Sequence, residues 1–339
     1  MAYAQTYFFV GPAGGSFFDE ANWNDQADGL GTPLAGDPLQ DSASNAIALD
    51  LIIDGDTVDA PGEVDFGTGS LTLLSGSQLT VSAAGADLDI NSNSTFSMTD
   101  ATLIVDDVAN FEGVSSFSGG SVTSLFNDVA FQDVFVNLTI DGTSFTAADN
   151  IYFDGFVGAI SNASFNSADR LGVRQSVAIT MTSTDIVINS GLGDIDDVFA
   201  AAGAGSSLTL LGSSTLLADS VEEGAVLTLG GSTVANMGAQ GSRITADGST
   251  ITMTSRDALL VVAQLDPLDV DYVDSRPFLI NGLTGLSYAA DPFSWNVSNW
   301  NGSDAVTLQV IPEPGSCILL AAGALLVIAP SVRRSRHTG

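Results

Sequence analysis

One rhythm runs through most of this chain. Between about Ala46 and Gln264 short segments repeat an apolar–x–apolar pattern: Leu51-Ile-Ile53, Val64-Asp-Phe66, Leu71-Thr-Leu73, Leu79-Thr-Val81, Leu88-Asp-Ile90, Phe96-Ser-Met98 and Leu103-Ile-Val105. From Leu71 to Leu103 successive segments begin seven to nine residues apart, with Ser-Gly-Ser, Ala-Gly-Ala, Asn-Ser-Asn or Thr-Asp between them. The pattern continues through Leu138-Thr-Ile140, Ile151-Tyr-Phe153, Val177-Ala-Ile179-Thr-Met181, Leu208-Thr-Leu210, Leu227-Thr-Leu229 and Ile251-Thr-Met253. Period two is the mark of short strands with one face buried.

The fold class is therefore all-β, with two architectures open: a sandwich, or a right-handed parallel β-helix (a solenoid) with two or three strands per coil. Three features favour the solenoid. The beat outlasts the usual size of one sandwich. Gly-Ser and Asn-Ser turns outnumber the Asp-Gly hairpin dipeptides, which include Asp54-Gly55, Asp141-Gly142 and Asp247-Gly248. The intervening positions are mostly Thr, Ser and Asp, which suit a stacked, solvated ladder.

The solenoid is expected over 46–264, flanked by β caps at 5–45 and 265–310. Phe17, Phe18 and Trp23 are large enough to cover the end coil, and the order F…xNW…P…GD resembles the opening of many β-solenoid surface proteins. Stacking of Trp23 on a sugar is the alternative use of that ring. The beat lapses at 194–205, where a short helix or side loop is expected. Beyond 265 prolines return, Trp295 and Trp300 appear, and Ala305–Val310 reads as a last strand. At the other end Ala2-Tyr3-Ala4 before Gln5 has the form of the end of a secretory signal peptide. Residues 1–4 are read as a remnant of that cleavage region, its earlier parts lying upstream.

Charge narrows the partners. The chain carries 40 acidic and eight basic residues, for a net charge of −32. Every basic residue is Arg. Without Glu313 and the three tail arginines, the body up to Ile311 holds 39 acids against five Arg. Such a surface repels nucleic acid and attracts hard divalent cations such as Ca²⁺. At 45% hydrophobic residues the chain is too apolar to be disordered by charge. The single Cys317 rules out a disulfide framework.

The C-terminus carries the most specific signal. Pro312-Glu313-Pro314 is followed by an uncharged apolar run through Val332, then Arg333, Arg334, Arg336 and His337. Residues 316–332 reach the lower limit for a membrane-spanning helix. The Arg cluster would stay cytoplasmic and leave the body outside. The prolines keep the preceding backbone extended and accessible to a processing enzyme. This arrangement over 311–339 resembles the PEP-CTERM sorting signal, a motif also labelled ice-binding protein C-terminal domain. The resemblance implies an exported protein whose sorting motif, Pro312, Glu313, Pro314, Arg333 and Arg334, is handled by an exosortase. It also implies association with exopolysaccharide or the cell envelope. Its sequence alternative is a plain membrane anchor.

Chemistry is restricted. The body has no His, Lys or Cys, so Ser-His-Asp and Cys-His machinery and His-based zinc sites are excluded. A non-enzymatic structural or adhesive surface protein is the leading expectation. A polysaccharide lyase or hydrolase working through carboxylates, with Arg170, Arg174, Arg243, Arg256 or Arg276 as partner, is one alternative. A calcium-dependent adhesin is the other. Asp54, Asp56 and Asp59 are the nominated Ca²⁺ ligands, ahead of Asp194-Ile-Asp196-Asp197 and the group Asp266, Asp269, Asp271 and Asp274. None has EF-hand spacing. Ice binding would need a regular threonine ladder, and Thr72, Thr80, Thr209, Thr228 and Thr252 fall at no steady spacing in the sequence.

Overall fold

Three strands make one coil. In a computed structural model of the chain, Gly69–Leu73, Gln78–Val81 and Leu88–Ile90 form one coil, and Ser94–Thr99, Thr102–Val105 and Ala109–Phe111 the next. First strands pair in parallel with first strands, second with second and third with third. The stacks give faces I, II and III. The structure describes residues 5–36, 38–39, 47–174, 177–188, 198–200, 206–218, 220–221, 226–237, 250–263, 279–281, 295–299 and 305–310. Faces I and III belong to one 19-stranded sheet and face II to a 13-stranded sheet. The strands Val129–Asp141 and Asn150–Ser161 run unbroken round the corner from face III to face I. The body is a parallel β-solenoid, as the period-two text predicts.

Register explains why unequal coils stack. On face I the inward ladder runs Ile53, Leu73, Met98, Phe117 and Ile140. On face III it runs Phe66, Ile90, Phe111, Phe131, Phe153 and Val173. The Phe131 and Phe153 rings stack at 5.0 Å and 10°, and Phe145 and Phe165 of face II at 5.2 Å and 11°. All four are buried, each contributing roughly 1.5–3 kcal/mol by burial alone. A one-residue slip would turn a whole strand inside out, so the core fixes the register.

The corner from face I to face II is built the same way in coil after coil. Residues there adopt positive φ: Gly55, Gly76, Asp100, the pair Gly119 and Gly120, then Gly142, Asn162, Ser183, Gly212 and Gly231. Gly, Asn and Asp tolerate this region best. The inward residue just past it often carries a buried hydroxyl. Ser77 Oγ donates to the Ile53 carbonyl at 2.8 Å and Thr143 Oγ1 to the Gly119 carbonyl at 2.9 Å. The Ser214 hydroxyl likewise donates to the Leu211 carbonyl at 2.7 Å. The hydroxyls on Ile53 and Leu211 add to backbone bonds these carbonyls already accept, from Leu74 N–H at 2.9 Å and Ser183 N–H at 3.0 Å.

The outer positions of face I correct one expectation. Thr72, Ser97, Ser116 and Thr139 stand in register on successive coils, as do Thr180, Thr209, Thr228 and Thr252. Their uneven sequence spacing reflects turns of unequal length, which the register absorbs. A second correction concerns the lapse at 194–205. Val198–Ala200 is a strand, pairing in parallel with Arg170–Arg174 on face III, where a helix or side loop was expected.

At the N-terminal end Thr6–Phe9 adds to face I beside Asp50–Ile53 and pairs antiparallel with Trp23–Asn24. Trp23 is fully buried, edge-on to Phe9 and Phe17, and its Nε1 donates to the Phe17 carbonyl at 2.7 Å. That ring cannot stack on a sugar. At the other end Ala305–Val310 pairs antiparallel with Leu259–Ala263 and Trp295–Asn299. The expected membrane segment 316–332, the sorting residues Pro312, Glu313, Pro314, Arg333 and Arg334, and residues 1–4 lie outside the described residues. Among the described residues no helix is long and apolar enough to cross a membrane.

Candidate functional site on face III

Strand alternation turns every second side chain of face III outward, three per coil where the strand is long enough. Register then lays these residues out as a grid. Successive coils place Asp65, Asp89, Asn110, Ala130, Tyr152 and Gly172 in the middle column. On one side of it Asn150 sits beside Arg170, and on the other Gln132, Asp154 and Arg174 follow one another. The early coils are acidic and the later ones bring the arginines. The outward positions are sheltered: Ala130 is 2% exposed, and Asp65, Asp89, Tyr152 and Asp154 are half-buried.

Shelter sets the electrostatics of the acidic end. Burial pushes the Asp89 carboxyl up to about 6, with repulsion from Asp87, Asp65 and Glu63 adding to it and a hydrogen bond from Asn110 opposing it. Asp65 is raised by burial and by Glu112, against the pull of the Asn91 amide. Asp87 is raised by burial and by Asp107, against the Val108 N–H. Asp65 and Asp89 thus stand as two raised carboxyls in register on adjacent coils.

Many of the acids are answered from the next coil. Asn110 Nδ2 donates to Asp89 at 3.1 Å, Asn150 Nδ2 to Asp128 at 2.9 Å and Asn162 Nδ2 to Asp141 at 2.7 Å. The Asn91 amide donates to Asp65, Ser70 Oγ to Asp50 at 2.8 Å and Thr215 Oγ1 to Asp185 at 2.7 Å. In each pair the donor sits one coil further along the chain. This interleaving gives each of these carboxylates a donor from the protein itself.

No protein-family model matches the chain, and no curated protein or solved structure is significantly similar to it.

At its later end Arg174 lays its guanidinium over the Tyr152 ring, 3.7 Å from the centroid. Gly172 makes room: a Cβ there would meet Tyr152 Cδ1 at 2.7 Å. Burial raises Asp154 and Arg174 opposes it; burial and Asp128 raise Asp149 and Arg170 opposes them. The Tyr152 phenol is also pushed up, chiefly by burial.

The nominated calcium ligands are placed differently. Asp54 is exposed in its turn, and Asp59 faces outward on Thr57–Ala60 beside Ser16 and Thr80. Asp56 is raised by burial and by Asp54. Among the described residues no three His, Cys, Asp or Glu side chains converge to hold a metal ion, Asp54, Asp56 and Asp59 included. Of the five body arginines, Arg170 and Arg174 come together and Arg256 lies apart, exposed. Arg243, Arg276, Asp194, Asp196, Asp197, Asp266, Asp269, Asp271 and Asp274 lie outside the described residues. Sequence reading passed over Asp65, Asp89, Tyr152 and Asp154. The first three are the middle residues of Val64-Asp-Phe66, Leu88-Asp-Ile90 and Ile151-Tyr-Phe153, visible as strand residues but not as neighbours.

Proposed function

We propose that this chain is an exported cell-surface or matrix protein with a structural or adhesive role, its body a rod and its tail a sorting signal read by an exosortase. The observation that carries this reading is the amino-acid sequence of the tail: Pro312-Glu313-Pro314, an apolar run through Val332, then Arg333 and Arg334. The body supports it. A solenoid gains stability coil by coil, and here its acids are tied to amides and hydroxyls of the following coil. Parallel crossovers take the right hand, which we assign to this rod. Envelope polymer is the proposed partner, and 316–332 the proposed membrane segment before processing. Mass spectrometry of the native protein with cell fractionation tests this. An envelope-associated product ending near Pro314 is expected; a full-length soluble protein in the cytosol would overturn it.

A second reading rests on one observation. Asp89, held at about 6 beside Asp65, suits a glycan hydrolase. Reducing-sugar release from envelope polysaccharide, abolished in Asp89→Asn, would support it; equal release by that variant would remove it.

A further inference from the structure

Three buried polar atoms at the later end of face III have no hydrogen-bond partner among the described residues: Asn150 Oδ1, Arg170 Nε and Asp154 Oδ1. Asn150 is only 7% exposed, and its backbone N–H and Nδ2 both donate to Asp128, leaving Oδ1 as the unused acceptor. Asn150 and Arg170 are register partners on adjacent coils, and Asp154 and Arg174 are register partners on the same two strands. Between the pairs lie Tyr152 and Gly172. Along the strand, Asn150 and Asp154 are separated by roughly 13 Å. A buried donor and a buried acceptor on neighbouring coils, both unsatisfied, each carry a free-energy penalty.

A hydroxyl group closes such a gap with one atom, because it accepts from Arg170 Nε–H and donates to Asn150 Oδ1. A second hydroxyl further along the strand would donate to Asp154 Oδ1. Local charge selects among hydroxylated ligands. Asp128, Asp149 and Asp154 outnumber Arg170 and Arg174 within a body already strongly negative, so carboxylated or phosphorylated ligands are repelled. We propose that Asn150, Tyr152, Asp154, Arg170 and Arg174 form a subsite for an uncharged, polyhydroxylated sugar unit of a glycan lying along face III. The site goes beyond the sorting and structural reading and stands whether or not the chain is exported.

The test is a glycan array of neutral and uronic-acid oligosaccharides probed with the full chain, followed by calorimetry on the best neutral binder. Binding to a neutral oligosaccharide is expected. It should weaken at least about tenfold in Arg170→Gln, which removes the Nε donor, and comparably when that sugar is O-methylated. The methylated ligand keeps the test independent of whether the variant folds. Three results would overturn the proposal: no neutral glycan bound, which leaves an internal water only; stronger binding of uronic oligomers; or affinity indifferent to O-methylation.

Discussion

Asp65 and Asp89 face outward from register-matched positions on adjacent coils, and burial with its acidic neighbours holds Asp89 at about 6. The folded state therefore holds this proton more tightly than the unfolded chain, where the carboxyl titrates near 3.8. Asp89's contribution to stability is full below about pH 4 and is lost as pH rises through about 6. After discounting for solvent screening, Asp89 accounts for about 1–2 kcal/mol of that fall. Thermal melts should show a higher Tm at pH 5 than at pH 7.5. Asp89→Asn should raise the Tm at pH 7.5 and flatten the profile, since the Asn oxygen still accepts from Asn110. A Tm that drops on mild acidification would contradict this.

Phe131 stacks between Phe111, at 5.6 Å, and Phe153, at 5.0 Å. Phe131→Ala opens a cavity that coils held at both ends cannot close. The expected loss is about 3–5 kcal/mol, read as a lower denaturant midpoint. A loss under about 1 kcal/mol would mean that the ring is not in the core.

Ser77 serves two coils at once. Its Oγ donates to the Ile53 carbonyl at 2.8 Å and accepts from the Gly55 N–H at 2.9 Å. Ser77→Ala leaves the Gly55 N–H without its acceptor, while the Ile53 carbonyl keeps the Leu74 N–H at 2.9 Å, and chemical denaturation should show a loss of about 1–3 kcal/mol. Retained stability would show that the corner hydroxyls are incidental.

Calcium is the sequence expectation that the geometry supports least. Asp54, Asp56 and Asp59 do not converge, and many acids elsewhere are held by Asn, Ser or Thr of the next coil. Melting with chelator and with millimolar calcium should give the same Tm within error. A large rise in calcium would restore the adhesin reading.

How much was legible in the sequence follows from what period two can encode. The strands Leu71-Thr-Leu73 and Leu227-Thr-Leu229 announce themselves because burial dictates each alternate residue. Which strand lies beside which depends on turn length. Thr209 and Thr228 share a ladder with Thr252 although the intervals differ, and sequence spacing alone hid this. The same blindness covered face III. Arg170 and Arg174 were legible as rare cations in an acidic body. That Tyr152 would fill the space over Gly172, or that Asp89 would stand against Asp65, required the register. The strand at Val198–Ala200 was missed because Gly191-Leu-Gly193 and the following acids read as a break in the beat.

Everything here rests on coils stacked one strand spacing apart. Register links Leu73 to Met98, Phe117, Ile140, Ile160, Met181, Leu210 and Leu229 in turn, so their chain neighbours Thr72 and Thr228 stand seven coil steps apart. At about 4.8 Å per step, Thr72 and Thr228 stand roughly 34 Å apart. Pulsed electron paramagnetic resonance on spin labels at Thr72→Cys and Thr228→Cys, with Cys317→Ala, measures that separation directly. A narrow distribution centred near 34 Å is predicted; a broad one, or a centre more than about two coil steps away, would contradict the in-register solenoid.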